Sequence, residues 1–325
     1  MAEYKYRYVE YPYLSKTAIK EYMTCKYRFR LRYIDGIETE NTVAMSRGTY
    51  LHDIYDRFFD AVDTKVLWEL QDEPFNLKSL RSTALYEYIE STVLSLADPE
   101  LYGDTWFVNP VTGFITFETL HAANLMRDLS TKDDFDKYFL PKHREIFLKE
   151  DKLQIYGTID RVSLDYDPDR TIIMDYKNVH AIPKPLKSDV VSNGYSTKLP
   201  PRYIKEGNFY VLLYVLTQEG YSLDLSLPRT VKFLKSGKVE RIAHNYDYAF
   251  LFLPFSHDKT DKFYYARKRA SNLSIKSLIN LMIKIRNENI YERLDNVMVC
   301  RRCPYYESQC RGKLPQSDPL LDFDI

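Results

Sequence analysis

The period of apolar and polar positions changes partway along this chain. Over the first 140 residues the apolar positions recur at helical spacing. Residues 15–33, SKTAIKEYMTCKYRFRLRY, predict a helix with Ser15 as N-cap and Gly36 just past its end. Residues 46–62, about 76–96 and 114–138 also predict helices. From residue 144 the runs become short and β-rich. REIFLK (144–149), LQIYGTIDRVSL (153–164) and RTIIMDYK (170–177) predict three strands, the last two joined as a hairpin by YDPD at 166–169. A loop containing Pro and Ser covers 181–200, and a helix is expected at 201–219. Strands follow at 229–235 and 238–244 around the turn SGK, then a long helix at about 258–290 and a tail at 299–325. Strands flanked by helices predict an α/β core with a helical elaboration. The expected organisation is one domain: a helical N-terminal region at 1–140, a core at 141–255, and a helix with a cysteine-rich tail at 256–325.

Charge adds one restriction. Lys+Arg and Asp+Glu both total 46, so any surface for nucleic acid must be a local basic patch. No stretch approaches the roughly 20 apolar residues of a membrane span, and MAEYKYRYVEYPYLSK lacks the apolar segment of a secretory signal. The expectation is an intracellular protein whose four cysteines are reduced thiols or metal ligands.

The densest chemistry lies on the hairpin. Asp160 sits in GTIDRV, and Asp175 and Lys177 end the next strand in TIIMDYKN. Residues two apart on a strand share a face. Two acids on adjacent strands can converge on a hard cation such as Mg²⁺ or Mn²⁺. A lysine on that face can hold the attacking water and offset charge on phosphorus during phosphodiester hydrolysis. A structural ion pair among the same three groups is the plainer alternative.

GTIDRV followed by IIMDYKN resembles motifs II and III of the PD-(D/E)XK nuclease superfamily, in its RecB-like branch. The resemblance implies a restriction-endonuclease-like mixed sheet, with Asp160 and Asp175 as metal ligands and Lys177 as catalytic lysine. RGTYLHDIYDRFFD (47–60) is similar to the branch's N-terminal helix, which implies His52 as a third protein ligand. Asp56, one turn on, is expected to orient its ring. Glu145 occupies the position of an acid often seen in the family and receives no role. In YIKEGNFYVLLY (203–214) Tyr210 fits the family's Gln-x3-Tyr helix, but Glu206 stands where Gln is expected. A glutamate only accepts hydrogen bonds, whereas a glutamine also donates.

Cys300, Cys303 and Cys310 form C-x2-C-x6-C, and Cys25 is the one remaining cysteine. Three thiols need a fourth ligand to close a four-coordinate site. Closure by Cys25, a zinc site completed by histidine, and unrelated buried thiols all stay open on spacing alone. The N-terminal T-C context with the distant C-x2-C-P-Y run is similar to the iron–sulfur RecB-like nucleases, among them the CRISPR-associated four-cysteine exonucleases and their phage and archaeal-virus relatives. That resemblance implies a [4Fe–4S] cluster stapling the first helix to the tail. The final spacing here is longer by one residue than the usual pattern. Such a staple closes a loop of almost the whole chain and is expected to be structural rather than redox-active.

Basic residues recur beside the cysteines: Lys26, Arg28, Arg30 and Arg32 in the first helix, and Arg301, Arg302 and Arg311 in the tail. Arg267, Lys268 and Arg269 are expected on the long late helix. Each set is a candidate phosphate-contacting surface or a solvated face. Interleaved Tyr22, Tyr27, Phe29 and Tyr33 offer rings for stacking bases, or for a core. The expected function is a metal-dependent DNA exonuclease favouring single strands or duplex ends. Protein partners in recombination, repair or CRISPR adaptation, and oligomers, are compatible with it. Two rivals remain. One is a non-catalytic DNA-binding or CRISPR-adaptation accessory protein with zinc at the cysteines. The other is a nuclease module of a helicase complex, whose motor would be a separate chain because no Walker-type loop is present.

Overall fold

The structure, a computed structural model, describes residues 13–39, 42–166, 169–180, 182–183, 195–196, 198–255 and 263–310. Among the described residues the α-helices before the first strand are α1 Lys16–Thr24, α2 Lys26–Tyr33, α3 Val43–Ala61, α4 Thr64–Glu69, α5 Ala84–Leu94, α6 Thr105–Asp128 and α7 Lys132–Phe139. Strands β1 His143–Glu150, β2 Ile155–Tyr166, β3 Asp169–Val179 and β4 Tyr195–Ser196 lead to helix α8, Pro201–Gln218. Then come β5 Ser222–Asp224, β6 Lys232–Lys235, β7 Lys238–Glu240, α9 Ile242–Asn245, β8 Tyr246–Pro254 and β9 Tyr264–Arg269. Helices α10, Asn272–Arg286, and α11, Val297–Cys300, follow, and a π-helical turn, Tyr306–Cys310, closes the described chain. Among the described residues no helix is long and apolar enough to cross a membrane.

The chain forms two compact units, Thr42–Lys149 with Gly157–Leu278, and Met1–Asn41 with Glu150–Tyr156 and Ile279–Ile325. The larger unit holds a six-stranded sheet in the order β1-β2-β3-β8-β9-β4. β2 and β3 form the expected antiparallel hairpin, with Arg161 opposite Met174 and Tyr166 opposite Asp169. β3 and β8 run parallel, with Asp175 beside Phe250 and Lys177 beside Phe252. The mixed α/β core therefore follows the expected class. Strand alternation sorts its two faces. Ile172, Met174 and Tyr176 of β3, with Ala249, Leu251 and Leu253 of β8, pack into one core with Ile54 and Phe58 of α3, Ile89 of α5 and Phe114 of α6. Asp175, Lys177, Tyr248, Phe250 and Phe252 alternate with these residues. The Tyr203 ring of α8 lies 5.2 Å from Phe250 and 5.1 Å from Phe252.

Several boundaries differ from the sequence reading. β8 was missed: all nine of its residues are buried, so it shows no alternation to betray a strand. The expected helix at 258–290 begins only at Asn272; Arg267, Lys268 and Arg269 lie on β9. Arg267 there bonds Asp165 at 2.5 Å and Asp247 at 2.6 Å, which holds strands together. The strand at 238–244 stops at Glu240. Ser236 and Gly237, both with positive φ, make the tight turn before it. The helix at 114–138 starts earlier, at Thr105, runs through Pro110 and is interrupted before Lys132, where Thr131 caps α7. The helix at 76–96 is a kinked 3₁₀ segment, Leu77–Ser82, followed by α5.

In the smaller unit the predicted first helix is two. Cys25 adopts an extended conformation between α1 and α2, and Ser15 caps α1 as expected. The Thr24 hydroxyl bonds back to Lys20 O at 2.8 Å, a contact that competes with helix continuation. The cations of α2 serve this unit. Arg28 and Arg32 pair with buried Glu21 at 3.2 and 2.7 Å, Lys26 with Glu288 at 2.6 Å, and Arg30 with Asp35 at 3.2 Å. Glu288 is held down to about 2 by its hydrogen bonds from Lys26 and Tyr22. Tyr22, Phe29 and Tyr33 are core residues, and Tyr27 lies under Arg293. Arg301 and Arg302 are exposed; Arg311 lies outside the described residues.

Candidate active site

The hairpin register ends at Arg161 opposite Met174, so Asp160 and Asp175 are the next residues on each strand. Both are buried, at 8 % and 2 % exposure. The backbone N–H of Tyr176 donates to Asp160 Oδ2 at 2.7 Å. Asp175 is held from two directions: Tyr210 O–H donates to its Oδ1 at 2.9 Å, and Lys177 Nζ lies 2.5 Å from its Oδ2. Lys177 also donates to Glu206 Oε1 at 2.8 Å. The lysine thus sits between two carboxylates, one from its own strand and one from α8.

Gly207 explains how α8 comes so close. A Cβ there would lie 2.1 Å from Tyr248 Cδ2, so only glycine lets the helix backbone rest on that ring. Glu206 precedes this contact and Tyr210 follows it by one turn.

His52, on α3, reaches the same site. Its Nδ1 lies 3.5 Å from Asp160 Oδ2 and 3.9 Å from Glu145 Oε1. One ligand atom from each of His52, Glu145 and Asp160 falls within 4.8 Å of the others, a compass that suits one metal ion. Burial alone would lower the imidazole pKa. The Glu145 carboxylate, which accepts from the ring, and the charges of Asp160 and Asp175 override it, so the pKa is raised. A pocket that favours imidazolium over imidazole has a surplus of negative charge, which a divalent cation would neutralise. Glu145 takes a positive φ of 42°, a backbone conformation rare for a residue with a side chain.

Of the ligands implied by the motif resemblance, His52 and Asp160 fall in this group. Glu145, left without a role there, stands in the group, while Asp175 engages Lys177 and Tyr210. Asp56 does not orient His52. Arg144 takes it instead, donating to Asp56 O at 2.5 Å and lying 3.5 Å from Asp56 Oδ1. The Tyr176 ring meets His52 edge-on at 5.9 Å. Beneath Asp160, Arg161 is fully buried and pairs with buried Glu118 at 2.5 Å, while its Nε donates to Ser163 Oγ at 2.8 Å. Burial would raise the Glu118 carboxyl, but Arg161 and His121 hold it below its ordinary value. Glu118 was missed in the sequence; its one signal is a lone acid inside the apolar run of α6.

In the smaller unit Cys25, Cys300, Cys303 and Cys310 line a single cavity, and none is in a disulfide. Tight turns gather the last three: Cys303 N bonds Cys300 O at 2.9 Å, and Tyr306 N bonds Cys303 O at 3.1 Å. Tyr306–Cys310 is a π-helical turn, closed by Cys310 N to Tyr305 O at 2.9 Å. Such a turn holds one more residue than an α-turn, which accommodates the longer final spacing. Tyr305 O–H anchors this segment on Ile37 O at 2.8 Å. Burial raises the Cys303 thiol pKa against the pull of Arg28, whose Nε is buried without a hydrogen-bond partner. An orphaned cationic donor beside sulfur fits an anionic thiolate-ligated group.

A mixed sheet with paired acids and a lysine at its centre, covered by helices, defines a restriction-endonuclease-like fold. The PD-(D/E)XK nuclease superfamily profile matches residues 13–311, and the chain belongs to that superfamily. Nucleases of this kind use divalent metal ions. No match to a curated protein reaches significance.

Proposed function

We propose that this protein is a divalent-metal-dependent deoxyribonuclease that cuts from strand ends and favours single-stranded DNA. The observation that carries the hydrolytic reading is the meeting of His52, Glu145 and Asp160 beside the Lys177–Asp175 pair. His52, Asp160 and Glu145 would hold Mg²⁺ or Mn²⁺, with Asp175 as a further carboxylate at the same site. The cation would supply Lewis acidity toward the phosphodiester and its attacking water. Lys177, fixed between Asp175 and Glu206, holds that water and offsets charge developing on the phosphoryl oxygens. Tyr210 keeps the Asp175 carboxylate turned toward the lysine. Glu206 takes the place of the family's glutamine as an acceptor for the lysine ammonium.

Preference for ends and single strands rests on the resemblance to four-cysteine exonucleases. So does the reading of Cys25, Cys300, Cys303 and Cys310 as ligands of a structural [4Fe–4S] cluster, which the shared cavity and the buried Arg28 donor support. The test is cleavage of end-labelled single- and double-stranded DNA with Mn²⁺ by anaerobically purified protein. Wild type is expected to cut; Lys177→Ala and Asp160→Ala are expected to stay folded and inactive. Equal cutting by all three would refute the assignment. Iron and acid-labile sulfide should co-purify with wild type and be lost in Cys25→Ala; stoichiometric zinc in their place would overturn the cluster.

A further inference from the structure

A cavity of about 390 Å³ opens at the first turns of α3 and α6, within the unit that carries the acids and the lysine. That is the size of a site for one small molecule. Two ring contacts line it, one cation–π and one aromatic. The Arg47 guanidinium lies over the Trp106 ring, 4.7 Å from its centroid. The His180 and Phe255 rings lie 5.1 Å apart. Both pairs are held in place. Trp106 Nε1 donates to Asp104 at 2.8 Å. Phe255 N donates to Val179 O at 2.9 Å, and Phe255 O accepts from Asn109 at 3.0 Å. No acidic side chain is among the described residues lining the cavity, and Arg47 carries its fixed positive charge.

The cavity is joined to the catalytic cluster by two elements. His180 and Phe255 directly follow the paired ends of parallel strands β3 and β8, where Val179 lies beside Pro254. Ligands of α/β sheets collect outside such carboxyl ends. Lys177 stands three residues before His180, about 10 Å along the strand. His52 stands five residues after Arg47, about 7.5 Å along the helix.

We propose that this cavity is a base-binding subsite that takes one unpaired nucleotide of a DNA strand crossing the acid–lysine cluster. The inference rests on the nuclease reading. Trp106 and Phe255 offer ring faces to the base, Arg47 offers positive charge to its phosphate, and His180 adds a ring N–H donor. A base within a duplex hides its faces, so stacking of this kind selects an unpaired one. Every base has a ring face, so stacking of this kind tolerates any sequence.

The test is binding of a fluorescein-labelled oligothymidylate, read by anisotropy without divalent metal. Trp106→Leu and Arg47→Ala are each expected to weaken binding about ten-fold, the scale of one base stack. Trp106→Phe is expected to restore most of the loss. An abasic residue moved along the oligonucleotide should reproduce that loss at one position. Melting curves check that Trp106→Leu folds, and Arg47, exposed on α3, can be truncated without touching the core. If both variants bind within two-fold of a wild type that cleaves DNA, the subsite is refuted and the nuclease reading stands. If wild type binds with the expected Trp106 and abasic dependence yet never cleaves, the nuclease reading falls and the subsite stands. If it neither binds nor cleaves, both fall.

Discussion

Gly207→Ala is the sharpest perturbation of this architecture. The added Cβ would lie 2.1 Å from Tyr248 Cδ2, 2.4 Å from Cγ and 2.6 Å from Cε2, whereas ordinary contact begins near 3.4 Å. Tyr248 is 1 % exposed on a strand paired on both sides, so its ring has little room to swing. The helix must therefore retreat by more than about 1 Å. Ala in place of Gly would by itself favour the helix by about 1 kcal/mol. Overpacking a buried contact costs about 1–3 kcal/mol, and the trapped ring puts this site at or beyond the upper end. The expected net loss is ~2 kcal/mol, read as a lower urea midpoint and a fall in Tm of a few degrees. The same retreat pulls Glu206 from Lys177 and Tyr210 from Asp175, which now bond at 2.8 and 2.9 Å. Misplacement of about 1 Å lowers single-turnover cleavage about 100-fold. A Gly207→Ala protein as stable as wild type would refute the packing argument. So would additivity with Tyr248→Leu, because removing the ring should relieve the clash and give a coupling of ~1 kcal/mol or more.

Glu118→Gln should cost about 3–5 kcal/mol, because it strands the buried Arg161 charge behind Asp160. The Glu118 pKa is lowered on folding, so its contribution is complete above the ordinary value of 4.5 and is lost as pH falls through the folded value. Urea midpoints of wild type and variant should therefore differ near neutrality and converge in acid; a constant gap would contradict the pairing. His52 has the opposite sign. Its raised pKa stabilises the metal-free protein below 6.5, and this contribution disappears as pH rises through the folded value. A metal ligand must be deprotonated, so Mn²⁺ affinity measured by calorimetry should climb across that window in wild type. It should climb less in His52→Gln, and an equal climb in both would remove His52 from the metal site.

Much of this was legible in the residue order. The hairpin, the acids on its two strands and the lysine sharing Asp175's face follow from strand alternation, which acts over two residues and needs no tertiary contact. The spacing of the last three cysteines likewise marked thiols that line one cavity. What the order could not show is anything set by packing between distant segments. β8 is hidden because burial on both faces erases alternation. Asp56 belongs to Arg144 because β1 docks on α3, and a helix turn alone cannot announce that. Glu145 reaches His52 through a left-handed backbone residue. The cations of α2, open in the sequence between a phosphate surface and a solvated face, are paired with Glu21, Glu288 and Asp35. By itself the sequence determined which groups are present and which neighbours share a face, since short-range periodicity is written in adjacent residues. Only the tertiary structure decided which carboxylate meets which cation, because that choice depends on long-range docking such as the seat Gly207 provides on Tyr248.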